Sequence, residues 1–236
     1  MARANHHVSH VEARRGPGHF LRENSLSLVV TLLFLICLLA QSIAGLRHHN
    51  DEREDHGQAP IQYAEYLASG EFLEATMENW ESEFLQMAVF LIFTAKLFQR
   101  GSAESRKPQE KPADRDPSRS KQKPNAPGPV KRGGLALRLY EHSLSITFLL
   151  LFAASFSLHA LGGARVHNEE QLLHGGDTVS VLQYAGTSQF WFESMQNWQS
   201  EFLALAAMVV LSIYLRERGS PQSKPVDAPH SMTGNE

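Results

Sequence analysis

Two groups of side chains in this sequence have the type and spacing to do chemistry. The first is a pair of carboxylates, Glu83 and Glu201, each placed just ahead of an apolar run in nearly the same phrase, NWESEFLQMA from Asn79 and NWQSEFLALA from Asn197. The second is a set of histidines. His49 and His56 lie seven residues apart, and His167 and His174 repeat that spacing beside Asn168, Glu169 and Glu170. Seven residues make two helical turns, so each pair could share a helix face beside a carboxylate and form a loose Zn or Cu ligand set. Gly57 and Pro60 signal a turn there, and packing within a polar loop is the simpler reading. The sequence therefore leads us to expect no metal and no cofactor, with these four histidines kept as weak exterior sites.

No catalytic signature accompanies them. There is no nucleophile elbow, no phosphate-binding loop and no H-E-x-x-H, and no helix carries a pair of intramembrane acids, so an enzyme is the least supported class. The single cysteine, Cys37, sits inside an apolar run and excludes disulfide or Cys-based zinc frameworks within a monomer.

The elements that would position these groups follow from how polarity is distributed. Asn24 to Leu46 and His142 to Ala164 are each 23 residues without a charge, enough at about 1.5 Å per residue to cross a bilayer core of about 30 Å. A cleavable signal peptide is the rival reading of the first run. The run exceeds the usual apolar core of such a peptide, and its counterpart recurs in mid-chain. Two shorter runs, Phe84 to Ala95 and Phe202 to Leu215, span only if joined to the helical phrases before them. Residues 70 to 100 hold no proline and read as one helix with Ser69 as cap.

Sliding the chain on itself by 118 residues aligns 20–102 with 138–220 without a gap and gives 29 identities in 83 positions. Chance does not produce this, so the chain reads as a tandem duplication. Residues 103–137 between the halves begin with a stretch, 103–134, that holds six prolines and nine Lys or Arg, and they read as a disordered basic linker. Residues 1–19 and 221–236 read as disordered tails. Basic residues cluster before the first run and from Lys96 to Arg138, whereas 47–79 and 165–197 are acidic. Lys and Arg near spans stay in the cytoplasm, so both termini and the linker are expected inside and both acidic loops outside.

This arrangement implies spans at about 25–46, 79–99, 143–164 and 197–216. Trp80 and Trp198 then lie at the interface, where indole rings anchor. Glu83 and Glu201 come one turn deeper, at the depth of Gln41 and its counterpart His159, with Gln86 just beneath. These five form a candidate polar layer, and His159 with Glu201 is its sharpest expected pair. Such groups face a bundle interior or a water-filled cavity, the simpler alternative being glutamates that snorkel to water.

The phrases FLRENSLSLV, EYLASGEF and NWESEFLQMAVF, closed by RGSAES, resemble a bacterial family of small multi-pass membrane proteins known only as a domain of unknown function. The resemblance covers roughly 20–106 and 138–220. It implies a cytoplasmic membrane location and brings no activity or site residue.

Together these readings predict an all-α integral membrane four-helix bundle made of two tandem helical hairpins. The lipid bilayer is its expected surrounding. A protein partner could dock on the exterior acidic loops, and no nucleic acid is expected. The oligomeric state is not legible in the sequence. The expected role is a non-enzymatic structural or interaction protein of the cell envelope. The alternative is a transporter or channel for a small solute or protons, built on the polar layer at Glu83 and Glu201.

Overall fold

The computed structural model describes residues 17–105, 117, 121 and 123–234. The N-terminal tail up to residue 16, most of the linker (106–116, 118–120 and 122) and the last two residues lie outside them. The regular structure of the described residues is α-helical, with no strand among them. The chain divides into two units, Met1–Leu67 and Ala68–Glu236.

The first unit holds α1 (Pro17–Glu23), α2 (Ser25–Asp55) and α3 (Tyr63–Leu67). At 31 residues, α2 is about 46 Å long, more than a bilayer core. Leu28, Val29, Val30, Leu32 and Leu33 are all exposed, and Ser42 alone along α2 is buried. A helix apolar all round has no face suited to water. The Ser42 and Tyr63 hydroxyls meet at 2.7 Å and join α3 to α2. Beyond the apolar run, Asn50 folds the following loop back. Its amide donates to the Ile61 carbonyl (3.1 Å) and its oxygen accepts from the Ile61 N–H (2.8 Å). Gly57, at φ 69°, supplies the left-handed residue just past the helix end.

The second unit holds α4 (Gly70–Lys96), α5 (Gly128–Arg132), α6 (Gly134–Glu141), α7 (Ser143–Leu173), α8 (Val181–Tyr184) and α9 (Ser188–Tyr214). Ser69 starts α4 by accepting from the Phe72 N–H at 3.2 Å, and Thr187 starts α9 by accepting from that of Phe190 at 3.3 Å. Helix α4 packs along α7 and beside α9. The α4–α7 contact is backbone on backbone: a Cβ added to Gly162 would lie 2.6 Å from the Glu74 nitrogen, and one added to Gly70 would lie 3.0 Å from the Gly162 carbonyl oxygen. Small residues of this kind let helices approach without side chains between them. Beside this seam, Ala160 and Ala164 are buried with Tyr184 and Phe190. The loop after α7 is closed by Asn168, which exchanges two hydrogen bonds with Val179 (2.9 and 2.7 Å).

Past α9 the chain takes a defined course over 221–234, where a disordered tail was expected. Lys224 is buried, and its ammonium donates to the carbonyls of Gly101 (2.6 Å), Ile213 (3.1 Å), His230 (3.0 Å) and Met232 (3.0 Å). Thr233 accepts from the Gly101 N–H, and the Ser102 and Ser212 hydroxyls meet at 3.0 Å. The C-terminal segment thereby ties the turn after α4 to the end of α9.

A buried carboxylate and imidazole cluster

The chemistry of the second unit gathers where α4, α7, α8 and α9 meet. Glu74, Glu78 and Glu81 recur along α4 at intervals of four and three residues and so share one face of the helix. His159 approaches from α7. Its Nδ1 lies 3.1 Å from Glu81 Oε2, and both side chains are fully buried. The other Glu81 oxygen accepts from the Ser194 hydroxyl at 2.8 Å and the Trp198 indole N–H at 3.2 Å, both on α9. Three donors thus converge on one buried carboxylate, the condition under which such a group is tolerated away from water.

The far side of the ring is different. His159 Nε2 makes no hydrogen bond, although it is fully buried. It stands 3.5 Å from Glu193 Oε2, and one oxygen of Glu74, one of Glu193 and a ring nitrogen of His159 lie within 4.8 Å of one another. The Tyr184 hydroxyl sits between the two carboxylates, 3.1 Å from Glu74 Oε1 and 3.1 Å from Glu193 Oε2. One hydroxyl proton cannot serve both contacts at once, so the second closes only when a carboxyl carries a proton. Burial, followed by the nearby Glu193 charge, pushes Glu74 up to about 7 and makes it that carboxyl. Burial also raises Glu78, whose carboxylate accepts from the Asn197 amide. Burial alone would raise Glu193, but the facing His159 imidazole at 3.5 Å and the hydrogen bonds from Gln189 and Tyr184 outweigh it and hold this group below the usual carboxylate range. Tyr184 is pushed up by burial and by the Glu74 and Glu193 charges.

Shape supports the cluster. A Cβ on Gly163 would come within 2.5 Å of Glu74 Oε1 and of the Tyr184 hydroxyl oxygen, so the missing side chain is the space they occupy. Phe190 is fully buried and its ring centroid lies 4.8 Å from that of His159, giving the site an apolar wall.

The five residues expected to form a polar layer are placed differently from one another. His159 and Gln86 are buried, Glu201 is half-buried, and Gln41 and Glu83 are exposed. His159 meets Glu81 and Glu193, not Glu201. Gln86 donates to the Glu201 backbone carbonyl at 2.9 Å and so links α4 to α9. Trp198 serves the cluster directly, whereas Trp80 packs its ring against Phe84 at 6.4 Å. Each exterior histidine packs locally. His56 and His174 place Nδ1 against the carbonyls of Glu52 (2.7 Å) and Glu170 (2.9 Å), while His49 and His167 lie against the rings of Tyr66 and Tyr184.

Sequence reasoning passed over Glu74, Glu78, Glu81, Glu193, Ser194 and Tyr184. The readable signal was the acidic stripe at 74, 78 and 81 on a helix otherwise entering an apolar run. Comparison of the halves drew attention to identical positions such as Tyr184 and Trp198, and the cluster's imidazole and carboxylates occupy positions that differ. At an offset of 118, His159 matches Gln41, Glu81 matches Gln199, Glu78 matches Gln196, Glu74 matches Phe192 and Glu193 matches Ala75.

The chain belongs to the family described as Domain of unknown function (DUF6766), whose model matches residues 17–235. No curated protein and no solved structure matches it significantly.

Proposed function

We propose that this DUF6766 protein is a four-span protein of the bacterial cytoplasmic membrane, built from two tandem hairpins, and that it acts without catalysis by binding a cation at the Glu81–His159 cluster on the outer side. The observation that carries this reading is the buried pair itself. Ionisable groups on membrane-crossing helices are costly and mark functional sites, and His159 lies on a helix long and apolar enough to cross. Helix α2 passes the same test, and its exposed apolar surface is suited to lipid.

The hairpin pattern draws support from the helix limits. Ser25–Asp55 and Ser143–Leu173 stand 118 residues apart at both ends, as do Gly70–Lys96 and Ser188–Tyr214. Loop charges support cytoplasmic termini and exterior acidic loops. In a Cys37→Ser background, single cysteines at Gln58 and Gly176 should react with an impermeant thiol reagent in intact cells, and one at Ser118 should not. Labelling of Ser118 alone would invert the topology, and labelling of all three would remove the four-span reading.

A proton- or cation-linked transporter is the second reading, favoured by Gln86, a buried polar group just below Glu81 that reaches the α9 backbone. Protein reconstituted in liposomes should then dissipate an imposed proton gradient, and Glu81→Gln should slow that flux. Absence of flux from folded protein would leave binding without transport.

A further inference from the structure

We infer that Glu74, His159 and Glu193 bind one divalent first-row transition-metal ion, with His159 Nε2 and one oxygen of each carboxylate as ligands. The inference rests on the reading of this cluster as a cation site and adds the ion and its ligands.

Geometry comes first. Three atoms no more than 4.8 Å from one another fit around a common centre at about 2.8 Å, so movements of under about 1 Å bring each to the roughly 2.0–2.2 Å of a metal–N or metal–O bond. They come from three separate helices, α4, α7 and α9, so the ion would add a second fastening to elements already joined through Glu81. The second observation is independent of the carboxylates. His159 Nε2 is buried without a hydrogen bond and is directed at Glu193, a position where a metal ion would accept the ring's lone pair.

The surroundings are those a ligating histidine needs. Glu81 accepts a hydrogen bond from Nδ1–H, which fixes the ring orientation and leaves the lone pair on Nε2, and Ser194 and Trp198 hold Glu81 in turn. The Tyr184 hydroxyl contacts both ligating carboxylates and can donate to their free lone pairs or fill a fourth position. Two carboxylates balance a double positive charge. One imidazole with two carboxylates suits Zn²⁺, Fe²⁺ or Mn²⁺, whereas Mg²⁺ and Ca²⁺ prefer oxygen alone.

The test uses full-length protein purified in detergent and stripped with a chelator. Calorimetric titration with Zn²⁺ should give one ion per chain, and Co²⁺ should produce visible absorption bands that Zn²⁺ abolishes and Mg²⁺ does not. Glu193→Gln, at a partly exposed position, and Glu74→Gln should each weaken Zn²⁺ binding at least about tenfold, and Glu81→Gln should weaken it by about 10- to 100-fold through loss of the histidine's support. His49→Gln with His167→Gln should leave it unchanged. Circular dichroism separates lost binding from lost folding, and the Glu193 variant decides the matter if His159→Gln does not fold. Absence of saturable Zn²⁺ binding, or binding that the Glu74 and Glu193 variants leave intact, would overturn the inference. Neither result bears on the thiol labelling that tests the four-span reading.

Discussion

His159 Nδ1 and Glu81 Oε2 lie 3.1 Å apart across 78 residues of chain, and neither side chain reaches solvent. The contact fastens α4 to α7, and Ser194 and Trp198 extend it to α9, so one carboxylate collects donors from two helices.

Removing that carboxylate should be far more damaging than removing its neighbour in the same phrase. Glu81→Ala leaves three donors, those of His159 and Ser194 fully buried, without an acceptor, and we expect it to destabilise the protein by about 3–5 kcal/mol. Glu83→Ala removes an exposed side chain and should change stability by under about 0.5 kcal/mol. Thermal and denaturant unfolding in detergent would measure both. Equal losses would mean that the two glutamates are equivalent.

The glycine seam makes a second prediction. Gly163→Ala places a methyl group where the Glu74 carboxylate and the Tyr184 hydroxyl sit, and Gly162→Ala drives one into the α4 backbone. Each should cost about 1–3 kcal/mol, as overpacking does. Gly128→Ala meets nothing within 4 Å and serves as the neutral control in the same unfolding series.

Much of this was legible beforehand, for physical reasons. The long uncharged runs and the Ser69 cap announced helices because apolar length and a side-chain acceptor act locally. The polar continuation of α2 through Asp55 and of α7 through Leu173 was less apparent. Hydropathy marks where lipid ends, whereas the helix continues to Gly57 and Gly175, where a left-handed residue stops it. His159 stood out as a polar group within an apolar run. Its partner did not, because Glu81 and Glu83 differ by two positions, which on a helix is about 200° of rotation, and only packing decides which faces inward.

A third prediction concerns pH in protein freed of metal by a chelator. Glu74 faces Glu193, Tyr184, His159 and Glu78, and its pKa rises on folding from an ordinary 4.5 to about 7. Its contribution to stability is therefore fully present below about 4.5 and is lost progressively as pH rises through about 7. Glu193 is held low and acts in the opposite sense, its contribution present above about 4.5 and lost as pH falls further. Stability measured by denaturant unfolding should decline between about pH 5 and 7.5, and Glu74→Gln should flatten that decline. A wild-type curve level across the interval would contradict the assignment.

The fourth concerns the C-terminal segment. Lys224→Met removes the ammonium from four backbone carbonyls and leaves them buried without a donor. Limited proteolysis should then cleave between 216 and 234 well before it attacks α9, whereas wild type should resist there. Identical digestion patterns would show that the ammonium does not hold the segment.

The mismatch between the halves at the cluster has a consequence for stoichiometry. A protein made of two like hairpins would ordinarily offer two like addresses, and occupation of one could influence the other. Here the imidazole and each carboxylate of the cluster, from His159 and Glu81 to Glu193, match an amide, an alanine or a phenylalanine at the corresponding position of the other half. The repeated sequence thus carries the aromatic positions Tyr184 and Phe190 twice, as Tyr66 and Phe72, and the charges once. Whatever charged species it holds should fill it along a simple hyperbola with a Hill coefficient of about one, since residues 20–102 carry no matching imidazole and carboxylate set through which cooperativity could arise.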